Sequence, residues 1–223
     1  MATPPRLSLI VPCGPLETQP PQIARIDSLL PDDWEVIVSL GRDQSPDLPV
    51  HWKVVRGEFG RGAQLNRASR IAQGEWLWFV HADSLPDERA LSDIKALIAD
   101  STVKQAHRIL AYCRLSFDTD GPAATRLNAI GANWRSRWLH MPYGDQGQCL
   151  SRQTFQSIGG FRENLARGED LDFVIRGRRV GLELIPLEGR MRTSARRYAD
   201  EGWLKTTLRH QRAALRLLRG ARA

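Results

Sequence analysis

Apolar runs and helical stripes alternate along the first hundred residues. Leu7 to Val11 (LSLIV) is a run closed by Pro12, and Trp34 to Leu40 (WEVIVSL) and His51 to Val55 follow it. Trp76 to Val80 places five apolar residues in a row, the pattern of a strand covered on both faces, as in a parallel sheet. Between these runs the spacing turns helical, at positions 23, 26, 29 and 30 and again at 65, 68, 71 and 72. Strands alternating with helices predict a wound, mostly parallel sheet. The stretch from Pro12 to Pro21, with four prolines and a glycine, is a loop. Pro86 suits a first helical turn, with Asp87 and Glu88 beside it where the macrodipole favours acids. The stripe of that helix is Ala90, Leu91, Ile94, Leu97 and Ile98.

The second half is mixed. Ile109, Ala111, Cys113, Leu115 and Phe117 alternate with Arg108, Tyr112, Arg114 and Ser116, which predicts a half-covered, antiparallel strand. Leu127, Ile130, Trp134 and Trp138 line one helical face, read as core packing rather than as an aromatic platform. Tyr143 to Leu150 turns into a short strand, a helix of two turns ends at Gly159-Gly160-Phe161, and Gly168-Glu169-Asp170 opens another. A last strand is expected over Leu182 to Leu187. With no internal repeat and no linker, the expectation is one α/β domain over 1–223, split near residue 100, with a basic amphipathic helix over 200–223.

The net charge of +7 points to nucleic acid only until it is located. From Arg190 onward there are ten Lys or Arg against two acids, leaving 22 bases and 23 acids for the other 189 residues. The body is therefore no nucleic-acid surface. Cys13, Cys113 and Cys149 are odd in number and lack any CxxC spacing, which argues against a disulfide framework or zinc site and fits a reducing cytosol. The apolar part of the N-terminus is too short for a signal peptide, and no stretch approaches the ~20 apolar residues of a membrane span.

Four stretches carry candidate chemistry. His81-Ala82-Asp83-Ser84 ends the Trp76 strand, where ligands gather beyond the carboxyl ends of a wound sheet. Asp83 is read as the anchor of a divalent cation and a diphosphate, since Mg²⁺ is commonly held by one or two carboxylates plus substrate phosphates. The alternative is that Asp83 or Ser84 caps the next helix. His81 is a further candidate ligand or a structural histidine. Glu169 and Asp170 either complement a helix N-terminus or supply a carboxylate base. Gly60-Arg61-Gly62-Ala63-Gln64-Leu65-Asn66 leaves backbone N–H groups at a helix start for an anion or a base edge. Arg196 and Arg197 are a diphosphate clamp or a solvated basic surface.

The ordered set GRGAQLN, GEWLWFVHADS, PYGDQGQCLSRQTFQSIGGF, a helix starting ED, and TSARRY resembles glycosyltransferase family 2 from about Gly60 to Trp203. HAD, PYGDQG and TSARR look like its bacterial arsenosugar-biosynthesis-type subgroup. The resemblance implies a GT-A fold, with a nucleotide-sugar-binding half over about 1–100 and an acceptor half over about 101–199. It implies an inverting transfer of a sugar from a nucleotide donor, assisted by Mg²⁺ or Mn²⁺. Asp83 then matches the last aspartate of the family's DxD turn, with His81 at the first position. Asp170, preceded by Glu169, matches the general base. Asp145 and Gln146 fall at the acceptor pocket, Arg196 and Arg197 at the diphosphate, and Arg61 and Asn66 at the base and ribose. The chain departs from the family after its first two strands, where it reads Pro12-Cys13-Gly14 and Val38-Ser39-Leu40-Gly41 instead of the acids used on the nucleoside. Glu17 and Asp43 are the nearby substitutes.

Three partners are expected: the donor, an unidentified acceptor, and an anionic membrane under the C-terminal helix, which otherwise packs on the domain. A nucleotidyltransferase is disfavoured because Pro12 to Pro21 contains no basic residue. A non-catalytic protein of the same fold is the rival from another class.

Overall fold

The computed structural model describes residues 5–15, 17, 21–100, 108–209 and 212. Among the described residues eight strands form one sheet: β1 (Leu7–Pro12), β2 (Trp34–Gly41), β3 (Lys53–Gly57), β4 (Trp76–Phe79), β5 (Ser84–Pro86), β6 (Ile109–Phe117), β7 (Gln148–Ser151) and β8 (Glu183–Thr193). Their order is β3-β2-β1-β4-β7-β6-β8-β5. The helices are α1 (Arg61–Ile71), α2 (Glu88–Ala99), α3 (Thr125–Trp138), α4 (Arg152–Ile158), α5 (Glu169–Arg179) and α6 (Arg196–Glu201), with 3-10 turns at Gln22–Leu29 and Gly144–Gln146.

β1 to β4 pair in parallel, as the continuous apolar runs predict. Side chains alternate across a strand, so β1 sends Leu7, Leu9 and Val11 into one core layer and Ile10 into the other. The first layer lies under α2 and includes Trp34 edge-on to Trp78, with ring centroids 5.9 Å apart. The second is filled by Leu65, Phe79, Phe155, Phe161 and Phe173 beneath α1, α4 and α5.

Several expectations for the second half need correction. β6 is antiparallel to β7 but parallel to β8, and Tyr112, expected to face outward, is buried with its hydroxyl donating to the Ser136 carbonyl. β8 runs on to Thr193, well past Leu187. β5 was not expected at all; it pairs antiparallel with the far end of β8. The Leu127–Trp138 stripe is not core: Leu127 is 63%, Ile130 66%, Trp134 58% and Trp138 68% exposed. The face α3 buries is the small and polar one, Thr125, Ala132 and Ser136. Its Asn133 amide accepts from Leu115 N–H and donates to Leu115 C=O, satisfying β6 beside a register shift.

Of the expected C-terminal helix, residues 203–209 are helical after α6, and 210, 211 and 213–223 lie outside the described residues. Trp203 and Thr207 both hydrogen-bond to Asn128 of α3. Among the described residues no helix is long and apolar enough to cross a membrane.

Candidate active site

From β1 the chain moves outward to β2 and β3, then returns to the other side of β1 as β4. That reversal opens a crevice beyond the carboxyl ends of β1 and β4, the place where wound sheets bind ligands. The His81–Ser84 turn hangs over it, closed by Ser84 N–H on the His81 carbonyl. Asp83 does not cap α2. That cap is Asp87, whose carboxylate accepts from Ala90 N–H at 2.8 Å. Ser84 instead pairs its hydroxyl with Thr193 at 2.8 Å inside the β5–β8 ladder.

That ladder brings the TSARRY segment to the HAD turn. Ser194 N–H donates to the Asp83 carbonyl at 3.0 Å. Asp120 accepts from the Ser194 hydroxyl at 2.5 Å and from Ala195 N–H at 2.7 Å. Arg196 and Arg197 thus enter α6 exposed, at the rim of the crevice. Glu17 reaches the same place from the loop after β1, accepting from Gly14 N–H at 2.5 Å. Burial pushes its carboxyl above the usual range and Asp83 adds to this, against Gly14 N–H, Arg197 and Arg196.

The turn Gly144–Gln146 and the start of α5 form the opposite wall. Gly168, at φ 83°, occupies the left-handed region as the N-cap, a conformation glycine accepts without a Cβ clash. Asp170 accepts from Gly144 N–H at 2.5 Å and from its own Leu171 N–H at 2.8 Å. Burial works against its charge, but Arg61 and these N–H donors hold its carboxyl below the usual range. Glu169 is spent on an ion pair with Arg61 and is nearly fully buried. Burial and neighbouring Asp170 raise its pKa against the pull of Arg61. Burial opposes the charge of Arg61 in turn, yet Asp170 and Glu169 carry its pKa above the ordinary value.

His81 packs so tightly on Gly144 that a Cβ there would lie 2.8 Å from Nε2 and 3.1 Å from Asp170 Oδ2. Burial, reinforced by Arg61, lowers the His81 pKa to about 4, so the imidazole is neutral at neutral pH. Asp145 has a buried Oδ1 without a hydrogen-bond partner among the described residues. Burial pushes its pKa to about 6, with Arg135 pulling down and Asp170 pushing up. Arg135, which stacks 3.5 Å over the Tyr143 ring, is a charge partner that sequence reading missed. It sits on α3, and no local motif ties it to the turn.

Two expected donor or acceptor residues are engaged elsewhere. The Asn66 amide donates to Phe161 C=O and Glu163 and accepts from Phe161 N–H, fastening α1 to the Gly159–Phe161 turn. Gln146 is fully buried, bonded to Ser136, Tyr143 N–H and Cys113 C=O. Where nucleoside-binding acids were expected, buried Gln64 bridges Cys13 C=O and Ser39 C=O at 2.7 and 2.9 Å, and Arg67 bonds Ser39 and Leu40 C=O. Asp43 stays exposed. Among the described residues no three His, Cys, Asp or Glu groups form a metal cage by themselves. One carboxylate, Asp83, beside a neutral imidazole suits a hard divalent cation whose remaining ligands are phosphate oxygens and waters.

The family model of glycosyl transferase family 2 matches residues 25–162. Among solved structures, S. aureus TarS with UDP-GlcNAc is similar at TM-score 0.59 and 19% identity, over 86% of this chain and 59% of that one. The mannosyltransferase PcManGT from Pyrobaculum calidifontis with GDP-Man and Mn²⁺ gives TM-score 0.55 at 18% identity, over 83% and 55%. GalNAc-T7 with UDP, GalNAc and Mn²⁺ gives 0.56 at 12%, over 86% and 44%. The chain therefore spans less than two thirds of the length of each of these relatives, and the fold they share with it is GT-A. No curated protein matches it. With more than half of its length matched by the family model, the chain belongs to glycosyltransferase family 2.

Proposed function

We propose that this protein transfers a sugar from a nucleotide-diphosphate donor to a hydroxyl acceptor, with inversion and with a divalent cation, Mg²⁺ or Mn²⁺. The observation that carries the reading is the meeting at one crevice of Asp83, the Glu169–Asp170 start of α5 and the Arg196–Arg197 start of α6. Relatives solved with UDP-GlcNAc and with GDP-Man and Mn²⁺ support a nucleotide sugar and a divalent ion. The HAD, PYGDQG and TSARR segments support the arsenosugar-biosynthesis-type subgroup.

In this reading Asp83, with His81 beside it, holds the cation, which when bound neutralises charge on the leaving diphosphate. Arg196 and Arg197 stabilise the same oxygens from the rim. Asp170, kept ionised by Arg61, takes the proton of the acceptor hydroxyl as that oxygen attacks the anomeric carbon from the opposite face. Asp145 lines the acceptor side. Glu169 orients Arg61.

The direct test is a screen of nucleotide sugars for metal-dependent hydrolysis, with slow release of UDP or GDP in the presence of Mn²⁺ expected. A second reading, a GT-A protein without catalysis, draws on Gln64 and Arg67 occupying the strand ends where nucleoside acids are missing. It takes over if no donor is cleaved and neither nucleotide shifts the melting temperature.

A further inference from the structure

We propose that the exposed face of α3, with the helical start of the C-terminal segment, is a membrane-resting surface for anionic lipid. It is independent of the transfer reaction. Of the thirteen large hydrophobic side chains exposed among the described residues, seven lie here. Leu127, Ile130, Trp134 and Trp138 form the stripe, Leu139 follows it, and Leu204 and Leu208 stand on the helical turn that Asn128 ties to α3. Apolar side chains gathered along one exposed helix face mark an interaction site rather than ordinary surface. Ile130, Trp134 and Trp138 also form one wall of a groove of about 480 Å³ against β6 and β8.

Charge selects the partner. On its exposed positions α3 carries Arg126 and Arg137 and no acid, while Arg135 is turned onto Tyr143. The helical residues 203–209 add Lys205 and Arg209 and no acid, with Arg209 paired to Glu201. The carboxylate bordering the groove, Glu188, is paired with Arg114 at 3.0 Å. A second copy would bring two basic faces together, and the chain's own basic C-terminus offers α3 no opposite charge. Anionic headgroups complement both segments at once. Tryptophans beside arginines, over a layer of leucine and isoleucine, are the composition of a helix lying in the plane of a lipid interface. Exposed aliphatic side chains add nothing to nucleic-acid stacking, which disfavours RNA.

Co-sedimentation of the full chain with vesicles tests this. Binding is expected to vesicles of phosphatidylcholine containing about one third phosphatidylglycerol, to weaken with salt, and to be far lower on phosphatidylcholine alone. Dibrominated lipids should quench part of the tryptophan emission. The double variant Trp134→Ser/Trp138→Ser should lose roughly tenfold or more in partitioning, with its melting temperature kept because both side chains are more than half exposed. The proposal is overturned by no binding to anionic vesicles at low salt, by equal binding and quenching by the double variant, or by a wild-type dimer in sedimentation velocity that the variant splits. Preferential binding of RNA over vesicles overturns it as well.

Discussion

Among the described residues the buried Asp145 Oδ1 meets no donor, and burial pushes the carboxyl up to about 6. A carboxyl whose folded pKa lies above its unfolded value contributes stability at low pH that is lost as pH rises through the folded value. For Asp145 that window runs from the ordinary aspartate value of 3.8 to about 6. Asp145→Asn should therefore be more stable than wild type at pH 8, by up to about 3 kcal/mol, and the difference should vanish below pH ~4. Urea titrations across that range read it, and a pH-independent difference contradicts the assignment. Asp170→Asn should leave donor binding nearly intact while turnover falls by roughly 10²–10³. Because Asp170 also accepts two backbone N–H bonds, the same variant should lose roughly 1–3 kcal/mol, so its melting temperature must be followed alongside. Asp83→Ala should abolish any Mn²⁺-dependent stabilisation by UDP or GDP.

At the scale of elements, three residues of β5 place the site. Their pairing with Met191–Thr193 converts a separation of over a hundred residues into one hydrogen-bonded contact between the Asp83 carbonyl and Ser194. The first turns of α2 brace that splice: Asp87 accepts from Arg190 N–H at 3.0 Å and Asp93 from Gly189 N–H at 2.8 Å. Gly189 lies so close that a Cβ would meet Ala90 backbone at 2.2 Å. Gly189→Ala should cost roughly 1–3 kcal/mol and loosen the Arg196–Arg197 clamp, seen as a raised donor KM. The parallel strands were legible from their apolar runs, because burial on both faces demands continuous hydrophobicity. β5 was not legible, since a three-residue strand leaves no period to detect. The α3 stripe misled for a related reason. Helical spacing identifies an apolar face but says nothing of what covers it, and here polar contacts from Asn133 and Ser136 hold the other face inward.

For the whole molecule, the crevice is expected to work as one binding unit. Saturating UDP or GDP with Mn²⁺ should raise the melting temperature, since ligand at a hundredfold over Kd adds about 2.7 kcal/mol. Omitting the metal should remove most of that shift. By itself the sequence determined the wound sheet, the site of its crevice, the family and most of the residues that gather there, because buried strands, strand-end turns and helix starts each leave a local pattern. Tertiary structure alone decided the rest. It spent Asn66 and Gln146 on internal hydrogen bonds, filled the strand ends with Gln64 and Arg67, set Arg135 beside Asp145, and left the tryptophans of α3 exposed. Those outcomes depend on which neighbour each polar group meets after the chain has closed on itself, and contacts between distant segments leave no mark in local spacing.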